Sequence, residues 1–359
     1  MKILQIQLLP LLYGAQIVML RLIKNMPEHE FEVLSLPGEP LASTIKNLGC
    51  KHQRITSLRR ELSILDIKAL YDIYRVCKKG KYDIVHTHSA KTGFLGRIAA
   101  RLAGIPKIIH TVHGFPFHDF QHPLVRFFYM KLERFAAKFC DQMVFVNQFE
   151  RQMAIDKRIV PAVKAFTIYN GVQLIDCQKK ESKDETFTIG SIGRFCKQKN
   201  SINVIKAAIE VCKRNNELKF VFLGDGELLD RCRAMVSEAN VDDRIELPGW
   251  QRNTEDWLCR FDLFLLFSRW EGLPLSILEA MAAGLPIVAS DIKGNNELVS
   301  EENGVLLPID ALDKLKETLA SITEDREKLQ KWGRRSREIV QKKFSIKKCV
   351  DEYKKLYEL

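Results

Sequence analysis

Two glutamates, Glu271 and Glu279, stand with seven residues between them in the stretch 268–286, SRWEGLPLSILEAMAAGLP. One falls in a Gly/Pro loop and the other in the short helix after it. Two carboxylates so placed can accept hydrogen bonds from the hydroxyls of one ligand from two sides. The helix start between them offers backbone N–H groups and a positive dipole end, which suit a phosphate. The combination fits a molecule with phosphates at one end and hydroxyls at the other. A plainer reading stays open. Ser276 to Glu279 has capping-box spacing, and Glu271 alone could be a solvated loop charge.

A second set of groups could serve the same ligand. Residues 193–200 (GRFCKQKN) place Arg194, Lys197 and Lys199 between a strand and a helix N-terminus, a reasonable cradle for a diphosphate. Four histidines, His86, His88, His110 and His113, cluster at the ends of two strands, where a structural, hydrogen-bonded role is the ordinary alternative. No H-x3-H pair on one helix supports a metal site. No D-x-D triplet occurs either, so protein cations would have to carry the diphosphate charge, and no metal or other cofactor is expected.

These groups need a scaffold that brings loop residues to one edge. The apolar run 262–267 (DLFLLF) and the run 286–290 (PIVAS) read as buried parallel strands around the glutamate segment. Strands at 2–9, 31–36, 52–56, 83–86, 107–111, 143–147 and 166–169 alternate with helical stretches at 15–24, 65–78 and 92–102. A strand at 187–192 precedes the cationic loop, and further strands fall at 219–223, 245–247 and 303–308. Such alternation argues a doubly wound α/β architecture, in which ligands lie at the carboxyl ends of the strands.

The stretch 268–286 closely resembles the E-x7-E segment of the retaining family 4 glycosyltransferases of the GT-B fold. The resemblance implies two Rossmann-like domains facing across a cleft. It puts Glu271 at the donor sugar, Glu279 at the ribose hydroxyls, and the loop N–H groups of Gly272, Leu273, Leu275 and Ser276 at the sugar and diphosphate. Arg194 and Lys199 match the diphosphate-binding cations, with Lys197 a rival because Asn200 replaces the usual glycine. Gly224, Gly249 and Trp250 match turns that frame the nucleoside. His113 matches the histidine at the reacting sugar. Residues 86–104 (HTHSAKTGFLGRIAARLAG) are similar to the polysaccharide-building branch, which implies an acceptor side with Gly14, His88 and Lys91. Asn170-Gly171-Val172 resembles the turn that ends the first domain, and 294–298 (GNNEL) a GG-x-x-E-L turn with its glycine pair broken. The implied reaction moves a hexosyl or N-acetylhexosaminyl group from a nucleotide diphosphate, UDP first, to a lipid-linked or glycan acceptor in bacterial surface polysaccharide synthesis.

Bulk properties bound the alternatives. The 359 residues suit two domains, expected as 1–175 and 176–342 with a last helix, 343–359, returning to the first. Charged, turn-rich 177–186 reads as the linker. No long apolar run suggests a transmembrane helix, and 1–7 is too polar for a secretory signal. Nine scattered cysteines predict neither disulfides nor zinc, and a reducing cytoplasm. Residues 1–175 carry 25 Lys+Arg against 13 Asp+Glu, whereas 176–359 carry 31 against 32. The whole net charge of +11 therefore lies in the first half, as suits an anionic inner-membrane surface and a polyprenyl-diphosphate acceptor. The segment 121–140 reads as an amphipathic helix whose apolar stripe is expected to pack on its own sheet while its cations meet headgroups. The alternatives are a GT-B nucleotide-sugar epimerase or phosphorylase, and a basic nucleic-acid-binding protein. The phosphorylase lacks a signal for a cofactor lysine, and no nucleic-acid motif accompanies the basic half.

Overall fold

The computed structural model describes residues 1–59, 61, 63–177 and 186–359, which form two compact units. Unit 1 comprises 1–170 with 346–359, and unit 2 comprises 171–345. Most of the charged stretch expected as the linker, 178–185, lies outside the described residues. Chain 171–177 belongs with unit 2 because it is bonded there. The Val172 N–H donates to Phe344 O (3.0 Å), the Ile175 N–H to Ala282 O (3.2 Å), and the Arg337 guanidinium to Ile175 O (2.6 Å).

Unit 1 is a seven-stranded parallel sheet. Its strands are β1 (Lys2–Ile6), β2 (Glu30–Ser35), β3 (Lys51–Arg54), β4 (Ile84–His88), β5 (Lys107–Val112), β6 (Gln142–Phe145) and β7 (Ala165–Thr167). The spatial order β3-β2-β1-β4-β5-β6-β7 reverses direction between β1 and β4. Crossovers are made by α1 (Gly14–Lys24), α2 (Leu41–Asn47), α3 (Leu65–Gly80), α4 (Ala90–Ala103), α5 (Pro123–Ala136) and α6 (Gln148–Asp156). The central strands are buried on both faces, as parallel sheets covered by helices are.

Unit 2 is a six-stranded parallel sheet in the order β10-β9-β8-β11-β12-β13. The strands are β8 (Phe187–Ile192), β9 (Leu218–Leu223), β10 (Ile245–Gly249), β11 (Leu263–Leu266), β12 (Ile287–Ser290) and β13 (Gly304–Leu307). The helices are α7 (Ser201–Arg214), α8 (Leu229–Glu238), α9 (Thr254–Leu258), α10 (Leu275–Ala282), α11 (Leu312–Ala320) and α12 (Arg326–Lys343). Here the order reverses between β8 and β11. A last helix, α13 (Ile346–Glu358), returns to unit 1 and buries Cys349, Tyr353 and Tyr357, which share one face at i, i+4 and i+8.

Several expectations need correction. Cys177 and Cys259 form a disulfide within unit 2, where no disulfide was expected; spacing along the chain says nothing of the 5.1 Å between their Cα atoms. The helix expected after Pro123 in 121–140 runs from Pro123 to Ala136, but its apolar stripe is not packed away. Leu124, Phe127 and Phe128 are 72%, 55% and 50% exposed, and the buried residues of α5 are Glu133 and Ala136. Strand β4 runs two residues beyond the expected 83–86, so that His88 as well as His86 lies inside it, and β5 holds His110 and continues to Val112.

Candidate functional site

In unit 2 the cationic loop and the glutamate loop leave the carboxyl ends of β8 and β11, the two strands flanking the reversal of order. Ligands of open α/β sheets bind at such a point. The loops are laced together. Arg269 N–H donates to Gln198 O (2.7 Å), the Gln198 amide to Trp270 O (2.9 Å), and Lys199 Nζ pairs with Glu271 Oε1 at 2.5 Å. The Glu271 side chain is only 8% exposed, so its charge is held by Lys199 rather than by water. Lys197 is exposed, while Arg194 approaches Glu227 at 3.6 Å. Gly193, Arg194, Lys199 and Ser201 share the lining of one concavity with Phe222 and Phe267.

Glycines let these loops stack backbone on backbone. A Cβ on Gly224 would come within 1.9 Å of Gly193 O, and one on Gly294 within 2.0 Å of Gly272 O. Both glycines also have positive φ, +141° and +93°, which side chains resist. The Gly224 N–H bonds Gly249 O at 2.9 Å, which brings the end of β10, with half-exposed Trp250 after it, beside the Gly224 turn. Helix α10 begins at Leu275 with Pro274 as its N-cap, and no side-chain cap is present. Ser276 is thus the second helical residue, and the capping-box register considered for it is not adopted. The first-turn N–H groups of Leu275, Ser276 and Ile277 lack intrahelical acceptors by geometry, beside the Glu271 loop. Glu279 lies one turn further, part-buried.

Sequence reasoning missed the supports of this site. Ser290 Oγ donates to Ser268 O (2.6 Å), and the Asn295 amide to Ser290 O (2.9 Å), all three residues being fully buried. They tie the turn bearing Gly294 to the strand end bearing the glutamate loop. Polar residues at the carboxyl ends of buried strands were the available signal.

In unit 1 the histidines divide by sheet face. Register pairs Gln5 with His86 and His88 with Thr111, so Gln5, Gln7, His86, His88 and Thr111 share one face, and His113 follows on the same side. His88 bonds Gln5 Oε1 at 2.8 Å and His113 at 2.9 Å. His110 points to the other face with Thr87, where Glu133 pairs with buried Arg97 at 2.8 Å. Burial holds all four histidines neutral, His113 pushed down to about 4, His86 to about 3, and His88 and His110 well below the usual range. Glu150, at the start of α6, accepts from the Phe115 N–H at 3.0 Å and so anchors the loop after His113. Gly14 opens α1. Lys91 is occupied by Asp66 at 2.6 Å and by Glu61 O. Gln5, Gln7 and Thr111 were not singled out, although Gln5 and Gln7 at alternate positions of an apolar strand mark one polar face. Among the described residues no group of three or more His, Cys, Asp or Glu could hold a metal ion, and no helix is long and apolar enough to cross a membrane.

Comparison with known proteins decides the family. Residues 13–175 match the model for Glycosyltransferase Family 4, and 173–339 that for Glycosyl transferases group 1. Over 99% of this chain and 96% of the other, it is 36% identical to the UDP-Gal:alpha-D-GlcNAc-diphosphoundecaprenol alpha-1,3-galactosyltransferase of Escherichia coli. The chain is a family 4 glycosyltransferase. The transferase is also 28% identical to an uncharacterized 41.2 kDa protein of the cps region of Klebsiella pneumoniae, over 88% of this chain and 89% of that one. The crystal structure of Anabaena HepE in complex with UDP and glucose superposes with a TM-score of 0.85 over the whole of both chains, at 18% identity. The fold of the transferase is GT-B.

Proposed function

We propose that this glycosyltransferase moves a hexose from a UDP-sugar, with retention, onto a sugar carried by a polyprenyl diphosphate at the inner face of a bacterial membrane, for surface polysaccharide. The observation that carries the donor half is the Lys199–Glu271 pair at the order reversal of unit 2. A diphosphate takes over Lys199, together with Arg194 and the first-turn N–H groups of α10; the released Glu271 carboxylate then takes the sugar hydroxyls. Glu279 accepts from the ribose, and the Gly224 turn with Gly249 and Trp250 frames the base. As the glycosidic bond stretches, charge grows on the departing diphosphate, and these fixed donors stabilise it. The leaving diphosphate takes the acceptor's proton on the same face, so no covalent glycosyl-enzyme forms and no metal is needed.

The acceptor half rests on different support. The E. coli relative is named for a diphosphoundecaprenol-linked substrate, and unit 1 carries the positive charge of the chain. Exposed Leu124, Phe127 and Phe128 on α5, with Arg126 and Lys131 beside them, suit an anionic lipid surface. His113 serves the transfer step, with Gly14 and Lys91 assigned to the acceptor; His88, buried and bonded at both ring nitrogens, acts by holding His113. The experiment is transfer of labelled hexose from UDP-galactose, UDP-glucose or UDP-N-acetylglucosamine to synthetic polyprenyl-diphosphate-linked sugars. Product with one donor supports the reading. Donor hydrolysis or epimerisation without acceptor-dependent product overturns it.

A further inference from the structure

The two sheets repeat one strand order. In each, the fourth strand, β4 or β11, lies beside the first, β1 or β8, and the order reverses between them. The helix that leaves the fourth strand is α4 in unit 1 and α10 in unit 2. Helix α10 starts without a side-chain cap and is the proposed seat of the donor's diphosphate. Its counterpart in unit 1 is equipped in a similar way.

Helix α4 begins at Ala90, and the Ser89 side chain before it does not cap it. Its first full-turn bond runs from the Gly93 N–H to Ser89 O (2.8 Å), so the N–H groups of Ala90, Lys91 and Thr92 lack intrahelical acceptors by geometry. Ser89 spends its hydroxyl on Gln7 Oε1 instead, and that oxygen also accepts from the Leu8 N–H (3.0 Å). The Leu8 N–H fixes the sense of the Gln7 amide and leaves Nε2 as its other end. Nε2 shares its carbon with the oxygen that Ser89 bonds, which brings it within a phosphate's span of the Ala90 N–H. Gln7 is fully buried, and its Nε2 has no hydrogen-bond partner among the described residues. A buried donor left unmade costs stability, and an oxygen at the α4 start would satisfy it. The Lys91 ammonium has three protons; it gives one to Asp66 (2.6 Å) and one to Glu61 O. Every group so gathered is a donor, and a helix start, a carboxamide NH2 and an ammonium together take an anion with several oxygens. His88, the residue before Ser89, bonds His113 at 2.9 Å, so such an anion sits next to the histidine proposed for the transfer step.

We infer that the start of α4, with Gln7 Nε2 and Lys91, binds the diphosphate of the lipid-linked acceptor. The identity of that ligand rests on the proposed function; that the place takes a phosphate anion does not. On this account an acceptor is chosen by the charge at its anomeric carbon as well as by its hydroxyls.

The test is Gln7→Glu, which keeps the oxygen that Leu8 and Ser89 bond and replaces the donor by an acceptor. Transfer from the UDP-sugar is compared on two acceptors of one sugar, an alkyl N-acetylglucosaminyl diphosphate and the uncharged alkyl glycoside. In the variant the ratio of kcat/KM for the charged acceptor to that for the uncharged one should fall at least about tenfold, with UDP affinity within about twofold. A merely structural defect lowers both rates alike and leaves the ratio where it was. If Gln7→Glu does not fold, Ala90→Pro removes one N–H from the helix start, at a position where proline is tolerated, and is read in the same way. An unchanged ratio overturns the inference, as does a loss of UDP affinity as large as the loss in ratio, which would give the place to the donor. Inorganic pyrophosphate titrated into the UDP-saturated protein is a second readout that needs no transfer. It should bind the wild type at least about tenfold more tightly than the variant. That result from a protein that transfers no sugar keeps the anion site and sinks the proposed function, whereas equal binding to both overturns the site.

Discussion

Lys199 Nζ and Glu271 Oε1, 72 positions apart in the chain, meet at 2.5 Å, each the other's counter-ion at the carboxyl edge of the second sheet. Removing one charge therefore leaves the other without its partner. Glu271→Ala should abolish transfer while UDP still binds, since Lys199 stays available to phosphate. Calorimetric titration with UDP beside a transfer assay checks this, and near wild-type turnover in the variant would rule out the sugar-binding role.

Arg194 lines the same concavity from the β8 loop. Its replacement by alanine should weaken UDP binding by about 1.5–3 kcal/mol, the worth of a hydrogen bond to a charged group, or roughly tenfold to a hundredfold. Lys197→Ala, on an exposed side chain, should change UDP affinity less than twofold. Equal losses at the two positions would contradict the assignment.

Gly224→Ala tests the stacking of loops. The added methyl meets a backbone oxygen at 1.9 Å from a positive-φ position, so the turn must shift. Expected are a drop in unfolding free energy of more than about 1 kcal/mol and loss of UDP affinity. Unchanged stability and affinity would show that the turn has slack.

Acid should loosen unit 1 early. Unfolded histidines take up protons near pH 6.5, whereas His113 waits until about 4 and His86 until about 3. Groups whose folded pKa is depressed bind fewer protons when folded, so stability is full above about 6.5 and declines as the pH falls toward 4. Each such histidine contributes a slope of up to about 1.4 kcal/mol per pH unit. The urea midpoint of the full chain should fall markedly between pH 7 and pH 5. A midpoint level across that range would refute the buried-neutral account.

The exposed face of α5 predicts lipid binding. Replacing Phe127 and Phe128 together by serine should cut co-sedimentation with vesicles containing anionic lipid at least tenfold, with UDP affinity unchanged. Binding that survives the replacement and disappears with salt would assign the association to charge alone.

The central pair of glutamates, the cationic loop and the parallel alternation were legible because each is local. A strand, a turn and a helix start occupy consecutive residues, and 268–286 carries its loop and helix in one run. The supports were not. Gln5, His86 and Thr111 come from three strands that only register brings to one face, and Tyr357 reaches them from the last helix. The histidines looked like one cluster until the pleat put His110 on the opposite side. Amphipathicity alone could not say which neighbour would cover α5, and Leu124 and Phe127 stay more than half exposed among the described residues.

The return of α13 has a consequence for how the molecule is made. Unit 1 is discontinuous in sequence, with all of unit 2 threaded between Asn170 and Ile346. A ribosome releases residues 1–170 long before the tyrosines that satisfy Gln5 and His86. Until synthesis reaches Tyr357, the polar face of the first sheet lacks the two tyrosine hydroxyls that Gln5, His86 and Thr111 bond, while unit 2 can already close on itself. The half of the chain translated first is thus the half that matures last, and a nascent chain stalled before residue 346 would present that open face to chaperones.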